Sequence, residues 1–159
     1  MNLIAQDVMT PDVVTVTPET SIEAAAAELV RHHITCLPVL TADGGIVGTV
    51  SDSDMIGKQG RTVGDIMSTQ LITVSPDNDL GEVGYILKRV NRVLVVRAGK
   101  LVGLVSRSDL LKRIAQRWTC TVCGAQQYGA NPPDHCTECN AQGGKFSLVE
   151  EPPMMYRDM

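Results

Sequence analysis

The stretch Gly48-Thr49-Val50-Ser51-Asp52-Ser53-Asp54 returns as Gly103-Leu104-Val105-Ser106-Arg107-Ser108-Asp109. Each copy runs from a glycine through the end of an apolar strand to a serine with an aspartate three positions on. A phrase that recurs at the same point of a longer repeat marks duplication of one supersecondary unit. Asp7-Val8-Met9-Thr10 answers to Asp65-Ile66-Met67-Ser68, and Val14-Thr15-Val16-Thr17-Pro18 to Ile72-Thr73-Val74-Ser75-Pro76, both 58 positions apart. The offset is 56 between Val39 and Val95 and 55 between Gly48 and Gly103. The second copy has therefore lost two residues around its helix end and one in its hairpin.

Each copy reads as strand, helix, strand, turn, strand, helix. In the first, Val13–Val16 is β-branched and bounded by Pro18. Thr20-Ser21-Ile22-Glu23 resembles a capping box and opens a helix through the alanine run 24–27. Residues 36–40 and 46–51 read as strands joined by a turn at Asp43-Gly44-Gly45. The second copy offers strands at 71–74, 93–97 and 101–106, a helix from about Asp79, a turn at Ala98-Gly99, and a last helix from Ser108 to about Arg117.

Composition bounds the class. The 159 residues are 43% hydrophobic, enough for a core, and the net charge is −4. No basic segment followed by an apolar stretch opens the chain, so no signal peptide is expected. No run approaches the ~18 apolar residues of a membrane span. A cytoplasmic protein without a membrane role is the expectation.

Ser-x-x-Asp has two compatible readings. As a helix cap, Ser51 or Ser106 accepts a backbone N–H three residues on, which is worth ~1 kcal/mol. As a ligand site, the carboxylate of Asp54 or Asp109 offers only acceptors, and two oxygens suit the vicinal hydroxyls of a ribose. The glycine ahead of each phrase permits close approach of backbone or ligand.

With Val-Met-Thr-Pro and Ile-Met-Ser near the repeat starts, Thr-Val-Thr-Pro and Thr-Val-Ser-Pro, Leu37-Pro38-Val39 and both Gly-x-x-Ser-x-x-Asp phrases, residues 1–117 resemble the tandem CBS-domain pair, the family named for cystathionine beta-synthase. The resemblance implies an α+β fold: two β-α-β-β-α repeats, 1–60 and 61–117, in a pseudo-twofold pair with two clefts between them. It further implies an adenosine-containing ligand (AMP, ADP, ATP or S-adenosylmethionine) and a homodimer. Carried onto this sequence, one cleft uses Thr17, Ile22, Ile34 and Thr35 around the base, with Ser106, Arg107 and Asp109 toward phosphate and ribose. The other uses Ser75, Leu80, Val90 and Asn91 with Ser51 and Asp54. Leu94 stands where the first repeat has Pro38, and Asp52 where the second has Arg107, so the first cleft is favoured for an anion. Arg31, His32, His33, Arg89 and Arg92 are further candidates for charge near the helix ends.

Residues 118–151 are chemically distinct. Cys120-x-x-Cys123 and Cys136-x-x-Cys139 enclose a segment too short to bury a core of its own. Nothing suggests secretion, so four thiolates on a tetrahedral ion are favoured over two disulfides. The fifth cysteine, Cys36, reads as a small buried hydrophobe. Sulfur-four coordination suits zinc and iron alike. Trp118-x-Cys120-Thr121-Val122-Cys123-Gly124, then Pro133-x-x-Cys136-x-x-Cys139, Lys145-Phe146 and Glu150-Glu151 resemble the rubredoxin-like tail of rubrerythrins. That resemblance implies one iron cycling by one electron; zinc ribbons share the skeleton. Asn140 stands where rubredoxins favour glycine, and asparagine tolerates the left-handed backbone a knuckle needs. Trp118, Phe146 and Tyr128 are expected to pack on the knuckles. Residues 152–159 read as a terminal tail.

Charge excludes one role. Between 118 and 151 Lys145 stands alone against Asp134, Glu138, Glu150 and Glu151, the wrong sign for a phosphate backbone. No nucleic acid is expected as partner. No nucleophile–base pair or paired carboxylates can be placed, so the chain reads as non-enzymatic. The expected function is regulatory: an adenine nucleotide between the repeats, sensed by an enzyme or redox partner through the short junction at Arg117-Trp118. A one-electron carrier gated by the pair and a zinc-stabilised interaction platform are the alternatives.

Overall fold

The computed structural model describes residues 3–149; the expected tail at 152–159 lies outside them. Two compact units divide the chain, Met1–Asp109 and Leu110–Met159.

The first unit carries α1 (Ala5–Val8), α2 (Ile22–His32), β1 (Cys36–Leu40), β2 (Ile46–Ser51), α3 (Asp52–Gly57), α4 (Val63–Ile66), β3 (Thr73–Val74), α5 (Leu80–Leu87), β4 (Arg92–Arg97) and β5 (Lys100–Ser106); α6 (Arg107–Ile114) begins at its end. Strands β1 and β2 form one antiparallel hairpin, and β3-β4-β5 a three-stranded sheet with β3 parallel to β4. Apolar residues on alternate positions face inward, so Leu37, Val39, Val50, Val93, Val95 and Val105 are all buried.

The repeats match in register. Val39 faces Gly48, a bulge follows, and Leu40 faces Ile46; Val95 faces Gly103, a bulge follows, and Val96 faces Leu101. The residue missing from the second hairpin comes out of its turn, where Ala98 (φ 50°) and Gly99 (φ 75°) make a tight two-residue connection. The two missing at the helix end shorten α5 relative to α2, which closes through a left-handed His33 (φ 52°).

Helix α2 opens one residue later than the capping box predicted. Ser21 is its N-cap, accepting from Ala24 N at 3.1 Å, while Thr20 turns back to Thr17. The strand expected over Val13–Val16 is reduced to a single parallel bridge, Val16 to Val39. The second repeat keeps a short strand at the equivalent place. Its Leu94 N donates to Ile72 O at 3.1 Å; in the first repeat Pro38 occupies Leu94's position and has no N–H to give. The last helix stops at Ile114 rather than Arg117, which opens a strand.

The two repeats exchange their opening segments. Ala5 N donates to Asn78 O (2.9 Å), Gln6 N to Pro76 O (3.0 Å) and Leu80 N to Leu3 O (2.9 Å). The same three bonds recur 58 positions on: Val63 N to Thr20 O (2.8 Å), Gly64 N to Pro18 O (2.8 Å) and Ile22 N to Arg61 O (3.2 Å). Thr10 bridges Leu104, and Ser68 bridges Thr49. Val63 and Ile66 of α4 thus complete the core made by Val16, Ala25, Leu29, Leu37, Val39 and Val50 of the first repeat. The first repeat closes its core with the first turn of the second, and Ala5 of α1 is likewise buried.

In the second unit β6 (Arg117–Cys120), β7 (Gln126–Tyr128) and β8 (Phe146–Leu148) form an antiparallel sheet in the order β7-β6-β8. Trp118 Nε1 donates to Gly129 O at 2.9 Å. Trp118 and Phe146 are half-buried, whereas Tyr128 is 70% exposed. Among the described residues no helix is long and apolar enough to cross a membrane.

Candidate nucleotide cleft and metal centre

Both Ser-x-x-Asp phrases form reciprocal caps. Ser51 N and Oγ each donate to Asp54 Oδ2 at 2.9 Å, and Asp54 N returns to Ser51 Oγ at 3.3 Å. Ser106 N and Oγ donate to Asp109 Oδ2 at 2.8 and 2.7 Å, with Asp109 N to Ser106 Oγ at 3.4 Å. A carboxylate held this way is oriented before any ligand arrives. The copies differ at the other oxygen: Asp54 Oδ1 meets Lys58 Nζ at 2.8 Å. Burial alone would push the Asp54 carboxyl up; the Lys58 ammonium and the Ser51 donors outweigh it and hold the group below the usual carboxylate range.

A cleft of about 310 Å³ opens beside the first phrase, lined by Cys36, Thr49, Ser51, Asp54, Ser68, Gln70, Ile72, Val90, Asn91, Arg92 and Leu94. It therefore brings together Ser51, Asp54, Val90 and Asn91 from the cleft that the sequence ranked second. Ser75 and Leu80 of that set lie outside this wall: Ser75 N donates to Asn78 Oδ1 at 2.7 Å, and Leu80 opens α5.

The residues of the other set hold the repeat-equivalent places. Thr17 N donates to Thr20 Oγ1 at 3.1 Å, Ile22 opens α2, and Ile34 packs on the core. Thr35 O accepts from Asp52 N (3.1 Å), just as Asn91 O accepts from Arg107 N (3.3 Å). The Arg107 side chain, expected at a phosphate, donates from Nε to Leu87 O at 2.6 Å and from Nη2 to Lys88 O at 3.3 Å, closing the end of α5.

Of the other cations, Arg31 pairs with Glu28 at 2.9 Å, His32 sits 3.1 Å from the same carboxylate, and Arg89 lies over the Tyr85 ring. Arg92 is the one in the cleft wall, and its Nη2 donates to Thr35 Oγ1 at 2.8 Å. Cys36 is buried as expected, yet it also lines the cleft beside Arg92; burial pushes its thiol up and Arg92 opposes that shift. Gln70 and Ile72 had no signal in the sequence beyond their place ahead of Thr-Val-Ser-Pro.

The second unit brings four sulfurs together. Cys120, Cys123, Cys136 and Cys139 have their Sγ atoms all within 4.8 Å of one another, with Cys120–Cys139 at 3.8 Å and Cys123–Cys136 at 3.6 Å. A tetrahedral ion with metal–sulfur bonds of about 2.3 Å sets sulfur–sulfur edges of about 3.8 Å, so the donor set fits one. The two knuckles are built alike. Gly124 N donates to Cys120 O (2.8 Å) and Cys120 N to Ala125 O (2.8 Å); Asn140 N donates to Cys136 O (2.9 Å) and Cys136 N to Ala141 O (2.9 Å). Both pivots are left-handed, Gly124 at φ 79° and Asn140 at φ 58°.

Thiols this close cannot all ionise without a cation. Backbone N–H groups of Cys139 and Glu138 pull Cys136 down to about 7. The Ala125 N–H pulls Cys123 the same way, but Cys139, burial, Cys136 and Cys120 together push it up to about 12. A bound ion would remove that competition.

The paired repeats with exchanged openings and two capped Ser-x-x-Asp phrases define a CBS-domain pair. The CBS domain family matches residues 5–60 and 63–116, and the chain belongs to it. Residues 118–147 match the rubrerythrin, rubredoxin-like domain. CBSX2 of Arabidopsis thaliana, crystallised with AMP, is 30% identical with a TM-score of 0.64, covering 69% of this chain and 93% of that one. The CBS domain pair of protein MJ0100, crystallised with 5′-methylthioadenosine and S-adenosyl-L-methionine, is 25% identical with a TM-score of 0.65, covering 69% and 98%. A zinc metalloprotease of Methanocaldococcus jannaschii is 36% identical over 114 residues, 72% of this chain; the chain spans 33% of that protein's length.

Proposed function

We propose that this protein is a non-catalytic sensor of adenosine phosphates, with AMP as the simplest ligand, bound in the cleft of Ser51, Asp54, Asn91 and Arg92. The observation that carries it is the composition of that one wall. Ile72, Val90 and Leu94 give an apolar face for a base, Asp54 an oriented carboxylate for ribose hydroxyls, Ser51 a hydroxyl, and Arg92 a cation for phosphate. Its volume lies at the lower end of small-molecule sites. The AMP and S-adenosyl-L-methionine complexes of similar CBS pairs support the adenosine class.

The four cysteines are proposed to hold one zinc or iron ion, whose binding supplies the folding energy that so short a unit lacks. Paired cysteines used as metal ligands rather than as disulfides fit an intracellular setting. If the ion is iron, it supplies one-electron redox chemistry. This second reading is favoured by the rubredoxin-like match. A homodimer, and an enzyme or redox partner that reads the bound state, complete the proposal.

Equilibrium dialysis with AMP tests the leading reading. Saturable binding that Asp54→Asn weakens about tenfold or more, the worth of a hydrogen bond to a charged group, supports it. Undetectable binding of AMP to the full chain overturns it.

A further inference from the structure

Arg92 and Cys36 occupy equivalent places in the two repeats: each opens its strand, and each faces the serine of its own Ser-x-x-Asp phrase, Arg92 opposite Ser106 and Cys36 opposite Ser51. Both also line the same cleft. Two equivalent residues that meet in one wall stand where the repeats join, so the pseudo-twofold places the same two residues beside the second cleft as well. The contacts of the guanidinium are consistent with that symmetry. It lies in the wall of the Ser51–Asp54 cleft while donating to Thr35 Oγ1, and Thr35 is the repeat equivalent of Asn91.

Within the first unit the other cations beside the two Ser-x-x-Asp phrases are already engaged. Cys36 stands where a twin arginine would. Arg107 is held by the Leu87 and Lys88 carbonyls, and Lys58 by Asp54 and the Ile66 carbonyl at 3.0 Å. On the other side, Asp12 takes the repeat position of Gln70 and adds a carboxylate. Two phosphates brought to this junction would share a single guanidinium and repel each other across it.

We infer that Arg92 is a shared anion receptor, so the chain binds one adenosine phosphate at a time and filling one cleft disarms the other for a second. The inference rests on the proposed nucleotide cleft and adds its stoichiometry and its selectivity. A phosphate that captures Arg92 in the Ser51–Asp54 cleft must take it from Thr35, which leaves the opposite cleft without a cation. An uncharged nucleoside makes no such demand, so adenosine is not subject to the exclusion.

Calorimetric titration of the full, metal-loaded chain separates the outcomes. With AMP, one molecule per chain is expected; after saturation with AMP, a second AMP does not enter at concentrations that fill the first site. Arg92→Gln lowers AMP affinity about tenfold or more, the loss expected for a charge-assisted bond, and leaves adenosine affinity unchanged. Arg92→Lys recovers part of the loss. Thr35→Val, which frees the guanidinium without removing it, tightens AMP binding; this second variant keeps the test intact if Arg92→Gln unfolds. Two AMP molecules binding with equal affinity, or wild-type AMP affinity in folded Arg92→Gln, overturns the shared receptor while leaving the nucleotide cleft standing. No AMP binding at all removes both.

Discussion

Gly48 lies against the backbone carbonyl of Ser68, so close that a Cβ on it would stand 2.6 Å from that oxygen and 3.0 Å from the Met67 sulfur. Its equivalent, Gly103, lies under the Met9 side chain in the same way. The glycine that begins each repeated phrase and the methionine near each repeat start are therefore two halves of one contact, made between repeats.

Gly48→Ala should destabilise the first unit by ~1–3 kcal/mol, the usual cost of overpacking, because a backbone carbonyl cannot swing aside. At Gly103 the nearest atoms belong to the Met9 side chain rather than to backbone, so Gly103→Ala should cost less. Urea unfolding of the two variants checks the order; equal, negligible losses would contradict the exchanged-segment account.

Much of this was legible from the repeat alone. The hairpin strands 36–40 and 46–51 and the three-residue shortening of the second copy follow from its offsets, because register is fixed by alternation and by turn length. The metal ligands were legible for a different reason: a Cys-x-x-Cys pair encodes a local knuckle, and Asn140 supplies the left-handed backbone expected of it. What stayed hidden depended on partners distant in sequence. The strand at Val13–Val16 fails because Pro38 withholds one N–H. Arg107 was expected at a phosphate from its position, but the carbonyls of Leu87 and Lys88 hold its side chain. The importance of Arg92 arises from a hydrogen bond 57 residues away in the chain, which no local pattern announces.

Acid should loosen the first unit through Asp54. Its folded carboxyl is held low by Lys58 and Ser51 against the opposing effect of burial, so its contribution is present above the unfolded carboxylate value and is lost as pH falls through the folded one. Asp54→Asn should remove that contribution near neutrality and converge with the wild type at low pH, which flattens the acid limb of a stability-versus-pH curve. An unchanged acid limb would show that the Ser51–Asp54–Lys58 cluster is not held as described.

Metal retention by the second unit should weaken as pH falls. Cys123, pushed up to about 12, and its neighbours must release protons to the solvent when they ligate an ion. Chelation, or Cys120→Ser, should therefore melt the 118–149 segment selectively while the CBS pair keeps its cooperative unfolding. Amide hydrogen exchange resolves the two units, and protection of 118–149 that survives complete chelation would refute a metal-dependent fold.

The central claim is that the first unit is a receptor for an adenosine phosphate, and the most direct measurement is its unfolding free energy with and without AMP. At AMP a hundredfold above its Kd the account predicts a gain of ~2.7 kcal/mol, cut to ~1.4 kcal/mol or less in Asp54→Asn, and small with inorganic phosphate alone. An unfolding curve that AMP leaves unmoved at millimolar concentration would contradict it.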